Sequence, residues 1–314
     1  MCDPNQTQVT QIKLLGFQGL YKFRILLFIV FLLTYMMILS GNILIIFLVT
    51  TVDQLKFPMY FFLKYLATSD VLLTTSVVPM ALDIILKDEG RLSLDICITQ
   101  LYFVGICSYL QCFLIAIMSY DRYLAICNPL RYPSLINSHV CLQVIIGLCF
   151  CVIILVSSEL ILIYRFDYCG LNYIDHFFCD FFPVVELSTS DTSALKLQDF
   201  IISIITICLP FAFIISTYIC IIVTILKISS VHGRRKAFST CSSHVTLVGA
   251  FYGALIIVYM TPSDESSSYM NKYRSLLYVM VSPLINPIIY SLRNREIKAA
   301  LQKTLADFRN FVRK

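Results

Sequence analysis

An acidic and a basic residue stand side by side at Asp121-Arg122-Tyr123, close to the end of the apolar segment Ile96–Ile126. Charged side chains at the end of a helix in lipid are costly and usually functional. Neighbours in sequence do not face each other along a helix, but Asp121 and Arg122 can still neutralise each other while Arg122 points into a bundle of helices. The alternative is an arginine that extends from the membrane edge into water.

A second costly carboxylate is Asp70, which lies about three helical turns into the apolar segment Phe57–Leu86. At that depth it is either protonated, joining helices by hydrogen bonds, or bound to a cation. Asn42, inside the first apolar segment, also requires a partner on a neighbouring helix because its amide is buried. The sequence therefore predicts a polar core that includes Asn42 and Asp70.

A stripe of small and polar residues runs along the segment that ends near Arg122. Gly105, Ser108, Tyr109 and Cys112 recur at helical spacing, which places them on one face of a helix. On spacing alone, tight helix packing is favoured over a ligand site. The fourth apolar segment is nearly featureless.

The long loop after the fourth apolar segment is rich in aromatic and acidic residues, and long ordered loops often cap binding sites. It carries His176, Cys179 and Asp180, residue types that bind metals at close spacing. Together with Cys97 and Cys169, Cys179 is expected on the outer face, where disulfides can form. A bond from Cys179 to Cys97 would tie the loop to the third segment and remove the thiolate, so we expect no metal site.

The composition is that of an integral membrane protein. Of the 314 residues, 58% are hydrophobic and 14% are charged, whereas a soluble domain has about 45–50% and about 25%. A helix that crosses a bilayer needs roughly 20 apolar residues, and the alternation typical of barrel strands is not seen. Seven segments qualify as spanning helices: Ile25–Thr50, Phe57–Leu86, Ile96–Ile126, Val140–Ile163, Phe200–Leu226, His244–Met260 and Leu276–Leu292.

The formal net charge is +5, and its distribution predicts the orientation of the bundle. If the segments alternate, one side collects the basic residues Arg131, Lys227, Arg234, Arg235, Lys236, Arg293, Arg295, Lys298 and Lys303. The other side collects the acidic residues Asp88, Glu89, Asp167, Asp175, Asp180, Glu186, Asp191, Asp264 and Glu265. The positive-inside rule places the basic side in the cytoplasm, with the N-terminus outside and the C-terminus inside.

The two tails carry further signals. Residues 1–24 show no signal peptide, so the first segment is expected to act as its own insertion signal. Asn5-Gln6-Thr7 is a glycosylation acceptor on the predicted outer side. Between 293 and 311, apolar residues recur at intervals of three and four among basic ones, which predicts an amphipathic helix on the inner membrane face.

Two prolines are expected to distort spanning helices. Pro210 lies inside the fifth segment, with Tyr218 about two turns beyond it. Asn286-Pro287 is expected to break the seventh segment, and Tyr290 follows about one turn later.

Four longer strings carry a resemblance to a known family. They are Pro58-Met-Tyr-Phe-Phe-Leu63, Met118-Ser-Tyr-Asp-Arg-Tyr-Leu-Ala-Ile-Cys127, Lys236-Ala-Phe-Ser-Thr-Cys-Ser-Ser-His244 and Pro283-Leu-Ile-Asn-Pro-Ile-Ile-Tyr-Ser-Leu-Arg-Asn294. With Gly41-Asn42, Asp70, Pro210 and Tyr218 in the same order, the chain resembles the rhodopsin-like G-protein-coupled receptors and, among them, the odorant (olfactory) receptors. The resemblance covers nearly the whole chain.

The resemblance implies an all-α membrane fold, a bundle of seven transmembrane helices with a short amphipathic eighth helix on the cytoplasmic face. The chain would divide into an extracellular tail (1–24), a receptor domain (25–292) and the eighth helix with a cytoplasmic tail (293–314). It would reside in the plasma membrane as a multi-pass protein and activate a Gs-type (olfactory) heterotrimeric G protein to raise cAMP.

The resemblance also implies a switch for the G protein. Arg122 would contact Asp121 at rest and the G protein when active, while Tyr218 and Tyr290 would swing toward it. The other switch residues implied are Tyr123, Asn286 and Pro287. The string that ends at His244 would face the G protein.

Two positions depart from the family's pattern. Asp70 matches a sodium-binding aspartate, but Gln111 stands where the family often has a glutamate, and one carboxylate fewer weakens cation affinity. Thr189 stands near the position of a second loop cysteine, so Cys169 is expected to be a free thiol. The resemblance implies the remaining disulfide, between Cys97 and Cys179.

The resemblance places the ligand between the third, fifth, sixth and seventh helices, beneath the long loop. The matching positions are Val104, Gly105, Ser108, Tyr109, Cys112, Ile202, Thr206, Ala254, Leu255 and Tyr259. Because Val104 stands where amine receptors carry a salt-bridging aspartate, we expect a small, uncharged and mostly apolar odorant. Hydrogen bonds to Ser108, Tyr109 or Tyr259 would orient it.

Other classes of protein fit the sequence less well. A receptor for a lipid or peptide would share the core motifs but not the strings at 58–63 and 236–244. A transporter would show related halves with interrupted helices, and an enzyme would need a nucleophile beside a base, whereas the four histidines lie in loops or at segment ends. We expect no enzymatic activity, no cofactor and no nucleic-acid partner; the expected partners are an odorant, a G protein and membrane lipid.

Overall fold

The computed structural model describes residues 8–170, 172–259 and 268–312. The glycosylation acceptor predicted at Asn5 and the side chain of Tyr259 lie outside the described residues. The α-helices are α1 (Arg24–Thr51), α2 (Pro58–Lys87), α3 (Leu94–Cys127), α4 (Tyr132–Leu135), α5 (Ser138–Ile163), α6 (Phe181–Glu186), α7 (Ser193–Ser203), α8 (Leu209–Leu226), α9 (Val231–Tyr259), α10 (Ser268–Leu276), α11 (Ser282–Arg293) and α12 (Arg295–Val312).

Six helical stretches are long and apolar enough to cross a membrane, and a bent pair of helices raises the number to seven. The first four are α1, α2, α3 and α5; α7 and α8 together form the fifth span, and α9 the sixth. The seventh is α10 with α11, and α12 leaves it at an angle of 80°. Several helices extend beyond the predicted apolar segments; α9 begins at Val231, well before the apolar run that starts at His244.

Local signals in the sequence set several helix starts. Pro58 occupies the first turn of α2, where its missing N–H is not needed. The Ser93 hydroxyl accepts the Ile96 N–H at 3.3 Å and caps α3. Asn137 caps α5 in the same way, through the Val140 N–H at 3.0 Å.

The fifth and seventh spans each have a wide π-helical turn before a proline in the first turn of the next helix; in the seventh it is Leu277–Val281, before Pro283 of α11. A wide π-helical turn, Ile204–Cys208, directly precedes α8 and its Pro210. Pro287 lies inside α11, which continues through it to Arg293, so the predicted break at Asn286-Pro287 is wrong.

The first span explains why α11 remains intact. Pro287 has no N–H to donate to the carbonyl of Pro283, one turn earlier. The Asn42 side chain donates to that carbonyl oxygen instead, at 3.0 Å. Gly41 makes this approach possible, because a Cβ atom there would lie 2.9 Å from the Pro287 ring.

A three-stranded sheet closes one end of the bundle, which we call the sheet end. Its strands are β1 (Gln11–Leu14), β2 (Gly90–Ser93) and β3 (Tyr173–Ile174), in the order β2-β1-β3. β1 is antiparallel to β2, with Gln11 opposite Ser93, and parallel to β3, with Leu14 opposite Ile174. Nothing in the sequence pattern of the N-terminal tail predicted this middle strand.

The third span is central to the bundle. α3 packs against α2, α5, α8 and α9. It begins at the sheet end and finishes at the opposite end, which carries Asp121 and Arg122 and which we call the Arg122 end. One continuous helix therefore connects the two regions that the sequence singled out.

Candidate functional site

The long loop at the sheet end is tied to the third span by a disulfide between Cys97 and Cys179, as the resemblance implied. The Gln100 side chain strengthens this junction, because its Oε1 accepts the Cys179 N–H at 2.8 Å. Cys169 is also disulfide-bonded, so the expectation of a free thiol there is wrong.

An ion pair between a buried lysine and a partly exposed aspartate joins the loop to the seventh span. Lys272 is 1% exposed, and its Nζ donates to Asp175 Oδ1 at 2.5 Å. The same ammonium group donates to the Gly16 carbonyl at 3.0 Å. One lysine thus connects the N-terminal segment, the loop and the start of the seventh span.

The His176 imidazole is buried beneath this ion pair. Its Nδ1 faces the Phe178 N–H at 3.4 Å and its Nε2 lies 3.3 Å from the Ser275 hydroxyl. Burial lowers the pKa of His176 to about 4, and the nearby Lys272 charge acts in the same direction against the pull of Asp180. Cys179 is oxidised, and within the described part of the chain no cluster of three potential metal ligands is present.

The residues expected to line a ligand pocket fall into two groups. Val104, Cys112, Ile202 and Thr206 are buried. Those that remain partly exposed are Gly105, Ser108, Tyr109, Ala254 and Leu255. α3 packs against both the Ile204–Cys208 turn, which carries Thr206, and α9, which carries Ala254 and Leu255. The candidate residues of the third, fifth and sixth spans therefore lie on elements that contact each other.

A polar core crosses the middle of the bundle. Asp70 is fully buried, and each carboxylate oxygen accepts one amide N–H: Gln111 at 3.0 Å and Asn286 at 2.8 Å. Asn42 lies beside the same span and donates to Pro283, as described above. The Gln111 side chain therefore links Asp70 of the second span to the third span by a hydrogen bond.

Asp121 and Arg122 form an ion pair at the far end of α3, with Arg122 Nε 3.7 Å from Asp121 Oδ2. The Tyr132 hydroxyl donates to the other Asp121 oxygen at 2.7 Å. The Arg122 side chain is only 13% exposed, which does not fit an arginine that extends into water. Tyr123 packs in a small apolar cluster with residues of the fifth and sixth spans.

His244 is a central residue that the sequence reasoning missed. Its imidazole is fully buried, with Nε2 3.2 Å from the Ile115 carbonyl and Nδ1 2.7 Å from the Tyr218 hydroxyl. Since a carbonyl only accepts, Nε2 carries the proton and Nδ1 accepts from Tyr218. His244 therefore joins the third, fifth and sixth spans. Its spacing from buried Cys241, Leu247 and Phe251 could have indicated an inward-facing position.

The remaining predicted switch residues lie along the seventh span. Tyr290 is fully buried, and its hydroxyl has no partner among the described residues. Nearby, the Tyr60 hydroxyl donates to Glu296 Oε2 at 2.7 Å and lies 3.1 Å from Asn294 Oδ1. This contact fixes the start of α12 against the second span.

Glu159 in the fourth span was also missed, since that segment was judged nearly featureless. Its side chain is 6% exposed, and Tyr109 of the third span is hydrogen-bonded to it. A buried carboxylate in a spanning helix is costly and marks a functional position more often than a structural one. A single acidic residue in an aliphatic run was the signal available in the sequence.

Known proteins resemble this chain over nearly its whole length. A family model described as olfactory receptor matches residues 31–308. Olfactory receptor 11L1 of Homo sapiens is 42% identical over 302 residues, which cover 96% of this chain and 94% of that protein. Olfactory receptor 5P81 of Mus musculus is 43% identical, with 97% of each chain covered, and mouse olfactory receptor 5G9 is 39% identical, with 100% of each covered. The chain therefore belongs to the olfactory receptor family: it is a multi-pass membrane protein, a G-protein-coupled receptor with seven spanning helices, and not an enzyme.

Proposed function

We propose that this receptor detects a small, uncharged and mostly apolar odorant between its third, fifth, sixth and seventh spans. The face of α3 that carries Gly105, Ser108 and Tyr109 supports this proposal, because it is partly open although α3 is central. Val104 and Ile202 supply apolar surface, and the hydroxyls of Ser108 and Tyr109 can orient a ligand. Membrane lipid surrounds the bundle.

The sheet end faces the extracellular side in this proposal, and the Arg122 end faces the cytoplasm. The distribution of basic residues supports the assignment, since lysines and arginines concentrate in loops near the Arg122 end. Residues 1–24 then form the extracellular tail, with Asn5 as a glycosylation site, and 25–292 form the receptor domain in the plasma membrane. Residues 293–314 form the eighth helix and cytoplasmic tail, and the 80° bend before α12 fits a helix along the membrane surface.

Signalling proceeds by a shift between two arrangements of the bundle. The ligand binds the active arrangement more tightly than the resting one, and the difference in binding free energy sets the shift. The sixth span then moves outward, and Arg122 exchanges Asp121 for a Gs-type (olfactory) G protein, which raises cAMP. Tyr218 and Tyr290 move toward Arg122 in this step, while Tyr123, Asn286 and Pro287 complete the switch.

The single observation that carries the mechanism is the inward-facing ion pair of Arg122 and Asp121 at the end of the helix whose other half borders the proposed pocket. A screen of the expressed receptor against a broad odorant panel, with a cAMP reporter, tests the function. Arg122→Ala should abolish the response and leave surface delivery intact.

The matched control is Arg131→Ala, because Arg131 is an exposed basic residue shortly after the end of α3, at the same end of the bundle as Arg122. That variant should signal nearly as the unmodified receptor does. A full cAMP response from Arg122→Ala at equal surface density would contradict the proposed switch.

A further inference from the structure

Glu159 has one carboxylate oxygen without a partner. Its Oε1 is buried and makes no hydrogen bond to any described residue. A buried acceptor without a partner is unfavourable, because nothing replaces the hydrogen bonds that water would make to it. Oε1 lies between three spans, so a donor that enters there would satisfy it.

The neighbouring polar groups of the fourth span are satisfied. The Tyr102 and Ser157 hydroxyls lie 3.2 Å apart, and the Gln198 amide donates to Ser158 Oγ at 2.7 Å. These contacts link the fourth span to the third and fifth spans on either side of Glu159. The unpaired acceptor is therefore a local exception within a well-bonded surface.

Glu159 lies at the level of the proposed pocket. Val156, one turn away on the same face of α5, packs on the third span so closely that a Cβ atom on Gly105 would lie 3.2 Å from it. Tyr109 is hydrogen-bonded to Glu159, and Asp199 of the fifth span is near enough for its charge to act on the carboxylate. Tyr109 is both a predicted ligand contact and the neighbour of Glu159.

The face of α3 that meets this carboxylate is not fully buried. Gly105, Ser108 and Tyr109 are partly exposed on one face of α3, whereas Cys112, further along the same face, is buried. The accessible part of this face therefore ends near Cys112. A ligand seated there would reach Glu159 with one end.

We propose that Glu159 is the hydrogen-bond acceptor that selects odorants with a hydroxyl group, so that the preferred ligands are alcohols or phenols. The proposal rests on the proposed odorant function. A hydroxyl has one donor to offer Oε1, and it accepts in turn from Ser108, since the Tyr109 hydroxyl already donates to Glu159. An ammonium has three donors and would require three acceptors to replace its water.

Matched compounds that share one carbon skeleton test this assignment. Each set contains an alcohol, its methyl ether and the corresponding primary amine, from linear, cyclic and aromatic skeletons, and the readout is the EC50 in the cAMP reporter. The unmodified receptor should respond to an alcohol at a concentration about tenfold or more below that of its ether, since a hydrogen bond to a carboxylate is worth at least that factor.

Glu159→Met removes the acceptor and keeps the length of the side chain. It should bring the alcohol and ether EC50 values to within about twofold, by weakening the response to alcohols and not the response to ethers. Glu159→Gln keeps one carbonyl acceptor and should give an intermediate ratio. Ser158→Ala is the matched control, because it alters the adjacent residue and its Gln198 contact while Glu159 stays in place.

Surface density and the thermal stability of purified receptor, with and without the alcohol, are measured for every variant. An alcohol should raise the Tm of the unmodified receptor more than its ether does, and Glu159→Met should abolish the difference. Equal EC50 values for alcohols and ethers in the unmodified receptor, or an unchanged ratio in Glu159→Met, would overturn the assignment while odorant detection stands. A preference for amines that depends on Glu159 would also overturn it. Failure of every odorant to activate the receptor would count against the proposed function itself.

Discussion

The two ends of the bundle are held together by different kinds of contact. At the sheet end, disulfides at Cys97–Cys179 and at Cys169, a three-stranded sheet and the partly buried Lys272–Asp175 ion pair join the N-terminal segment, the loops and the spans. At the Arg122 end, the described contacts between spans are single hydrogen bonds, such as the one from Tyr218 to His244, and apolar packing. The sheet end is thus cross-linked by covalent bonds, whereas the contacts at the Arg122 end can be exchanged for others.

This difference indicates where the receptor changes shape. A disulfide is a covalent bond that persists while the folded chain moves, whereas a hydrogen bond contributes about 1 kcal/mol net and is readily exchanged. Segments that move are drawn from the least stable parts of a structure. We therefore expect the sheet end to act as a fixed frame and the Arg122 end to open.

Loss of the Cys97–Cys179 disulfide should have the largest effect. The bond encloses a sequence separation of 82 residues, and removing a native disulfide of this kind costs about 4 kcal/mol. Cys97→Ser should therefore lower the surface density and the Tm of purified receptor markedly. Cys151→Ser is the control, since Cys151 is an exposed free thiol. Equal Tm values for the two variants would mean that the sheet end does not depend on this bond.

Acidification should weaken the sheet end to a smaller extent. Burial holds the pKa of His176 at about 4, below its ordinary 6.5, so the unfolded chain takes up a proton that the folded chain refuses. Stability is complete above pH 6.5 and falls as the pH drops toward 4, by about 2 kcal/mol between pH 7 and pH 5.

Thermal unfolding of purified receptor across this pH range measures the effect, and His176→Gln supplies the comparison. The variant should show a flatter dependence of Tm on pH than the unmodified receptor. All other titratable groups are present in both proteins. The difference between their slopes of Tm against pH therefore reports on His176 alone. Parallel slopes would show that the histidine titrates normally.

Loss of the His244 contacts should have the smallest energetic effect but a visible functional one. His244→Leu removes the hydrogen bonds to Ile115 and Tyr218, which favours separation of the third and sixth spans by about 1 kcal/mol. Basal cAMP in the absence of odorant should rise about fivefold at equal surface density. Ser216→Ala, which affects only an exposed bond within α8, should leave it unchanged. If the basal signal does not rise, the His244 hydrogen bonds do not stabilise the resting arrangement.

Hydropathy predicted the seven spans, because each must present enough apolar surface to lipid whatever its neighbours are. Residues whose environment depends on distant parts of the chain were harder to predict. The break expected at Pro287 does not occur because Asn42, which is 241 residues from Pro283, supplies the missing donor. The four-residue strand β1 is defined by partners in two loops and carries too little local pattern to be recognised.

The candidate site shows the same limit. Asp70, Asp121 and Arg122 stand out as charges in apolar segments, and the structure places all three inside the bundle. His244 was assigned to a segment end because the apolar run begins there, although the helix begins at Val231. Glu159 was passed over because its neighbours are aliphatic, and its significance depends on Tyr109 across the helix interface.

The central position of β1 sets an order for assembly. β2 and β3 both pair with β1 and not with each other. Neither of these two strands therefore has a partner until β1 is in place. β3 follows the fourth span, so the sheet is finished only after more than half of the chain has been synthesised and inserted. β1 therefore completes its pairing only when β3 has been made. A tag or deletion that displaces Gln11–Leu14 would leave both loops without their common partner.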